Sequence, residues 1–109
     1  MDKPCRLVFC TCPDAGTAEH LAATLVEERL AACANLIPGL TSIYRWEGAL
    51  QRDSEVLLLL KTRAEHFERL AERLRALHPY NLPEIVAVAI SEGSPAYLGW
   101  LLASTEIDS

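Results

Sequence analysis

Apolar positions along the chain follow strand and helix spacings in turn. Short apolar runs bounded by turn residues predict four strands, and apolar positions three and four residues apart predict the helices between them. The predicted strands are Cys5–Cys12, Cys33–Trp46, Ala49–Thr62 and Glu84–Ser91. The predicted helices run from Asp14 to about Leu30, from Ala64 to Leu77 and from Ala96 to Ala103. This order predicts an α+β, ferredoxin-like β-α-β-β-α-β sandwich with a short C-terminal helix, in a single domain over residues 1–109.

Turn residues punctuate these elements. Asp14 or Thr17 is expected to cap the first helix and Ser94 the last, where Pro95 fits the first helical position. Pro38-Gly39 interrupts the second strand, and because proline has no amide hydrogen to donate, it predicts an edge strand or a bulge. Glu47-Gly48 predicts the turn that joins the second strand to the third.

Two predicted strands lack the alternation of apolar and polar residues that is typical of a sheet with one solvent-exposed face. Val56–Leu60 and Ile85–Ile90 are apolar at every position, whereas a half-exposed sheet alternates apolar and polar residues. The short final helix cannot cover the second face, so another subunit is the simplest cover. The aromatic and arginine residues of Tyr44–Trp46 also suit a subunit interface.

Charge and composition exclude several classes of protein. The net charge is −5 and the ten basic residues are scattered, which disfavours nucleic-acid binding. The apolar runs are too short for a membrane span, and the N-terminus lacks the apolar region of a signal peptide. We therefore expect a cytoplasmic protein without nucleic-acid or membrane partners.

Four cysteines, Cys5, Cys10, Cys12 and Cys33, lie in apolar surroundings and are expected to be free thiols. Cys10 and Cys12 form a Cys-x-Cys, but residues two apart in a strand are about 6.6–6.8 Å apart. Two sulfurs that share one ion lie at most about 4.6 Å apart. Unless Pro13 bends the strand or the rotamers tilt, Cys12 is expected to be a small core residue.

A second candidate site is the loop from His78 to Glu84, which contains two prolines that limit its conformations. An imidazole and a carboxylate on such a loop can coordinate a metal. The alternative is that His78 caps a helix while Glu84 pairs with a basic residue of a neighbouring subunit. His20 and His66 lie on helix positions expected to be exposed or partly exposed, and therefore solvated.

No catalytic motif emerges, whether a Ser/His/Asp set, a phosphate-binding loop or a GxGxxG. Cys10 and His78 suggest a thiol–imidazole pair, but nothing in the sequence places them within reach of each other. We therefore expect a protein that is not an enzyme, with a small hydrolase or thiol enzyme as the alternative.

Several stretches together resemble the CutA family of divalent-cation tolerance proteins, and they cover nearly the whole chain in order. They are Thr11-Cys12-Pro13-Asp14, Arg29–Asn35, Pro38–Gly48, Lys61-Thr62, His78-Pro79-Tyr80 with Pro83-Glu84, and Tyr97–Leu101. Cys12 is not part of the motif that we associate with this family.

The resemblance implies a homotrimer with the architecture of the PII signalling proteins and a link to copper and other divalent cations. It favours metal ligation by His78 and Glu84, with Cys10 as a third ligand because it aligns with a cysteine implicated in metal binding in some relatives. Cu²⁺ or another divalent cation is expected, weakly bound. The alternative is a PII-like regulatory module that binds a small ligand or protein partner in the clefts between subunits.

Overall fold

The four predicted strands form one antiparallel sheet. A computed structural model describes residues 3–107, so the predicted domain ends at residues 1 and 109 lie outside the described residues. The strands are β1 (Cys5–Cys12), β2 (Cys33–Trp46), β3 (Ala49–Arg63) and β4 (Val86–Ala89), in the order β2-β3-β1-β4. The helices are α1 (Ala15–Glu27), α2 (Phe67–Leu77) and α3 (Pro95–Ser104). The predicted fold class is confirmed.

One face of the sheet is covered by α1 and α2, and we call it the closed face. Alternation along β1 places Val8, Cys10 and Cys12 on this face, and the register pairs Val8 with Leu60 and Cys10 with Leu58. All of these side chains are buried. The helices contribute their own buried leucines to the same core: Leu21 and Leu25 from α1, and Leu70 and Leu74 from α2.

The opposite face, which we call the open face, carries the side chains that alternate along the strands with those of the closed face. Phe9 lies between Leu59 of β3 and Val86 of β4 in the register. Helix α3 covers only the end of this face near Cys5. Val86 and Val88 are left 52% and 51% exposed. As the strand composition predicts, the apolar face extends beyond what the short final helix can cover.

Strands β2 and β3 continue past β1 as a long hairpin arm, residues 40–55. β1 pairs with β3 only as far as Val56, so no third strand of the described residues lies beside the arm. The predicted irregularity at Pro38-Gly39 is confirmed, because the register shifts between Ile37 and Leu40. At the tip Glu47 and Gly48 both have positive φ, 50° and 81°, as a two-residue type I′ turn requires.

The predicted helix starts are confirmed by their caps. The Asp14 carboxylate accepts a hydrogen bond from the Thr17 amide at 2.7 Å, and the Ser94 hydroxyl accepts one from the Tyr97 amide at 3.4 Å. Pro95 is the first residue of α3, where its missing amide hydrogen costs nothing.

Other element boundaries differ from the prediction. α1 ends at Glu27 rather than near Leu30, because Arg29 takes a left-handed φ of 63° and the Leu30 amide turns back to the Leu25 carbonyl. The first turn predicted for α2 is a 3₁₀ turn at Ala64–His66. β4 is shorter than predicted, because β1 pairs with it only from Arg6 to Phe9.

Candidate functional site

Three buried side chains with metal-ligating atoms meet near the end of β1. The ligand atoms of Cys10, Cys12 and His78 all lie within 4.8 Å of one another. We call this group the Cys2His cluster. The two thiols share the closed face, and side chains in strands lean along the strand direction, which brings the sulfurs closer than the backbone spacing suggests. Cys12 is a buried core residue, as predicted, and its sulfur also lies within 4.8 Å of the Cys10 sulfur, a closeness that was expected only with tilted rotamers or a bend at Pro13.

The end of α2 positions His78. Its amide donates to the Leu74 carbonyl at 2.8 Å, which makes it the C-cap residue, and Pro79 prevents the helix from continuing. Its Nε2 lies 2.9 Å from the Thr11 carbonyl oxygen, and the Tyr80 amide lies 3.1 Å from its Nδ1. A carbonyl only accepts and an amide only donates, so Nε2 carries the proton and Nδ1 accepts.

The two thiols of the cluster are not equivalent. Hydrogen bonding between them, together with burial, raises the pKa of Cys10, while the same hydrogen bonding lowers the pKa of Cys12. The Cys10 sulfur also lies 3.9 Å from the Thr11 carbonyl that accepts from His78. Cys12 is therefore the thiol that ionises more readily. Two thiols and an imidazole are a donor set that suits soft and borderline ions such as copper and zinc.

A cavity of about 690 Å³ opens between the arm and the loop after His78. That volume lies within the range of small-molecule sites. Thr11, the residue between the two thiols, is part of its wall. Three carboxylates and three aromatic side chains contribute most of its chemistry: Asp53, Glu55, Glu84, Tyr44, Trp46 and Tyr80. The described residues that line it include no lysine, arginine or histidine.

Hydrogen bonds tie the phenols of the cavity to its carboxylates. The Tyr80 hydroxyl donates to Glu55 at 2.7 Å, and the Tyr44 hydroxyl donates to Asp53. Burial and the bond to Glu55 raise the pKa of Tyr80, and the bond to Asp53 raises that of Tyr44. Both phenols therefore keep their protons, and the cavity offers negative charge beside aromatic faces, which suits a cationic ligand.

The three sequence-predicted metal ligands are divided between these two places. Cys10 and His78 belong to the Cys2His cluster. Glu84 is exposed on the cavity wall and is not a member of that cluster, although its charge contributes to raising the pKa of Cys10. The alternative interpretation of His78 as a helix-capping residue agrees with its place at the end of α2.

Sequence reasoning missed Cys12 as a candidate ligand and missed the acidic side chains of the arm. Asp53 and Glu55 lie two residues apart on β3, and this spacing places them on one side of the arm. That alternation was visible in the sequence. The approach of β3 to the loop after α2 was not, because it depends on the tertiary fold.

The remaining cysteines and histidines lie outside this region. All four cysteines are free, as predicted. His20 is exposed, as predicted. His66 is partly exposed, as predicted, and its Nε2 also lies 2.6 Å from the Thr105 carbonyl oxygen, because α3 returns to the start of α2. Cys10 and His78 do come close together, and both are buried.

Across residues 3–107, no helix combines the length and apolar character needed to cross a membrane.

Known proteins resemble this chain over almost its whole length. The sequence model of a family described as CutA1 divalent ion tolerance protein matches residues 6–104. A "Divalent-cation tolerance protein CutA" from Thermus thermophilus is 54% identical, over 92% of this chain and 97% of that protein. The crystal structure of CutA from Xylella fastidiosa is 47% identical with a TM-score of 0.92, over 94% of this chain and 99% of that one. A structure named "Periplasmic divalent cation tolerance protein CutA", from Archaeoglobus fulgidus, is 33% identical with a TM-score of 0.91, over 94% and 99% of the two chains.

Proposed function

The chain belongs to the CutA1 divalent ion tolerance family, and from that premise we propose that it acts by binding the metal ion itself. The observation that carries this proposal is the Cys2His cluster, three buried ligand groups within 4.8 Å of one another. Cu²⁺ is the proposed divalent cation, weakly bound, with one ion per chain. Thiolate and imidazole suit copper, whereas Mg²⁺ and Ca²⁺ prefer oxygen ligands.

Cys10 and His78 are the proposed ligands because both were predicted from the sequence and both belong to the cluster. Glu84 remains the predicted carboxylate ligand, at the far end of the loop that begins at His78. Its exposed position on the cavity wall makes it accessible to an ion that enters from solvent.

Equilibrium dialysis against Cu²⁺, with redox-inert Zn²⁺ in parallel, tests the proposal. His78→Ala should lose most of the affinity and Glu84→Gln less, while Cys33→Ser, a cysteine outside the cluster, should bind as the parent does. Unchanged Cu²⁺ and Zn²⁺ binding by both His78→Ala and Cys10→Ser would show that the ions occupy adventitious surface sites.

We also propose that the working form is a homotrimer. The half-exposed valines of the open face support a second copy as its cover. The arm carries further exposed apolar residues, including Ile43, Trp46 and Leu50. The number three comes from the family resemblance.

The proposed role is binding rather than catalysis, and the proposed compartment is the cytoplasm. Four free thiols support a reducing environment. Mass spectrometry of the alkylated, unreduced protein, taken directly from its source cells, should find every cysteine alkylated. A stoichiometric disulfide would contradict the cytoplasmic assignment.

The cavity favours a second candidate function, that of a PII-like module that binds a small ligand. Its volume and its acidic and aromatic lining suit a small organic cation. Screening simple amines and guanidinium compounds by thermal shift in metal-free buffer tests this idea, with Glu55→Gln as the variant that should lose the effect. Ligand binding that persists in metal-free buffer would favour this function over metal tolerance through the cluster.

A further inference from the structure

The Cys2His cluster has the chemistry of a site for a soft, monovalent cation. Resting on the proposal that this protein binds metal near His78, we infer that Cys10, Cys12 and His78 together bind Cu(I), with Cys12 in place of Glu84 as the third ligand. The three ligand atoms lie within 4.8 Å of one another. Cys12 is thereby assigned a function that follows from its position beside Cys10 on the closed face.

The donor set and its burial both select for a soft ion. Cys10 and Cys12 are fully buried and His78 is 7% exposed. Thiolates favour Cu(I), while hard divalent ions such as Mg²⁺ and Ca²⁺ require oxygen ligands that this buried group does not supply. A structural Zn²⁺ takes four ligands, and the described residues place only three such side chains here. Cu(I) is satisfied by two or three ligands, so the cluster is complete for it as it stands.

Filling the site also changes the loop that follows His78. If Nδ1 binds the ion, its lone pair is no longer available to the Tyr80 amide. If Nε2 binds the ion, the neutral ring carries its proton on Nδ1, which then cannot accept. In either case the 3.1 Å hydrogen bond from the Tyr80 amide is lost. Tyr80 also donates to Glu55 in the cavity wall. Metal binding at the cluster should therefore alter the cavity wall through a change in the position of Tyr80.

An anaerobic titration with Cu(I), in competition with a chromophoric Cu(I) chelator, tests the assignment. Removal of a residue that only hydrogen-bonds to a metal ligand typically lowers metal affinity by roughly 10–100-fold. Cys12→Ala removes a ligand itself, so it should lower the Cu(I) affinity by at least that factor. Two matched controls should bind as the parent does: Cys5→Ala, a buried cysteine on the same strand, and Cys33→Ser, a cysteine outside the cluster. Thermal melting of each variant confirms that it is folded.

A second measurement needs no substitution. One equivalent of Cu(I) should shift the ¹H–¹⁵N signal of the Tyr80 amide and speed its hydrogen exchange, while the Thr17 amide at the start of α1 stays unchanged as the control.

The outcomes separate this inference from the function on which it rests. Loss of Cu(I) affinity in Cys12→Ala with a Tyr80 shift in the parent supports it. If the parent binds Cu(I) but Cys12→Ala binds equally well, or Tyr80 is unaffected, the assignment is wrong while metal binding stands. If the parent binds neither Cu(I) nor Cu²⁺ and Zn²⁺, the proposed function itself fails.

Discussion

The two faces of the sheet are built from similar residues and differ in what covers them. Leu60 on the closed face is completely buried under the helices, while its neighbour Leu59 points to the open face and is only partly buried. Val86 and Val88 on that face remain half exposed. A strand that is apolar at every position has two faces that need to be buried. The chain's own helices fully cover only the closed face. The closed face holds the Cys2His cluster, and the described chain leaves much of the open face uncovered.

The matched pair Leu60→Ala and Leu59→Ala tests this difference at adjacent positions. Leu60→Ala should lower the free energy of unfolding by about 2–5 kcal/mol, since it leaves a cavity in a closed core. Leu59→Ala should cost less at high dilution, and its cost should grow with protein concentration if a second copy covers it. Urea unfolding at several protein concentrations measures both. An equal loss for the two variants at high dilution would remove the distinction between the faces.

A charge on the open face should break assembly and leave the fold intact. Val88→Lys would bury an unpaired ammonium group in the proposed interface, which strongly disfavours association. Light scattering after size exclusion should report the monomer mass, with an unchanged far-ultraviolet circular dichroism spectrum. Glu92→Lys, an exposed position just beyond β4, should stay assembled. Assembly of Val88→Lys equal to that of the parent would place the interface elsewhere.

The arm should contribute to the same interface with a smaller effect. Trp46 is 46% exposed near its tip, and large aromatic residues are frequent anchors of interfaces. Trp46→Ala should weaken the trimer, so that it dissociates at a higher protein concentration than the parent does. A trimer with unchanged dissociation and melting would show that the arm is free and faces a ligand instead.

The smallest effect is expected from the phenols of the cavity. Tyr80→Phe removes the donor to Glu55, a carboxylate that is only 7% exposed, and should cost about 1 kcal/mol. Tyr44→Phe, whose partner Asp53 is exposed, should leave thermal stability unchanged. Thermal melting compares the two variants, and an equal loss would mean that the depth of the carboxylate does not matter.

The raised pKa of Tyr80 fixes the pH range of that stabilisation. Because folding holds the phenol in its protonated form, the contribution should be complete below the unfolded value of about 10 and be lost as the pH rises through the higher folded value. The difference in melting temperature between the parent and Tyr80→Phe should therefore shrink only in strongly alkaline buffer. A difference that vanished near neutral pH would contradict the assigned hydrogen bond.

The sequence was most informative where local chemistry decides the structure. Caps at Asp14 and Ser94 and the bulge at Pro38-Gly39 follow from side chains and backbone limits that act within a few residues, and all three are observed. Element ends that depend on distant partners were harder to predict. β4 stops where β1 ceases to pair with it, and no local pattern marks that point.

The same contrast applies to the candidate site. Cys10 and His78 were found from residue type and resemblance, and the fold brings them together. Cys12 was predicted to be a small core residue, which it is, while its closeness to Cys10 depends on a tilt of side chains along the strand that the sequence does not reveal. The pairing of Tyr80 with Glu55 joins residues 25 positions apart, so it could not be predicted without the tertiary structure.

Native mass spectrometry after anaerobic loading with Cu(I) tests the central claim most directly, because one spectrum reports both assembly and metal. The claim is that the open face assembles the chains while the closed face of each holds one ion. The account predicts a species near 36 kDa, three times the 12.0 kDa chain, that carries three copper ions. A metal-free monomer would contradict both parts of the claim, assembly through the open face and metal binding on the closed face.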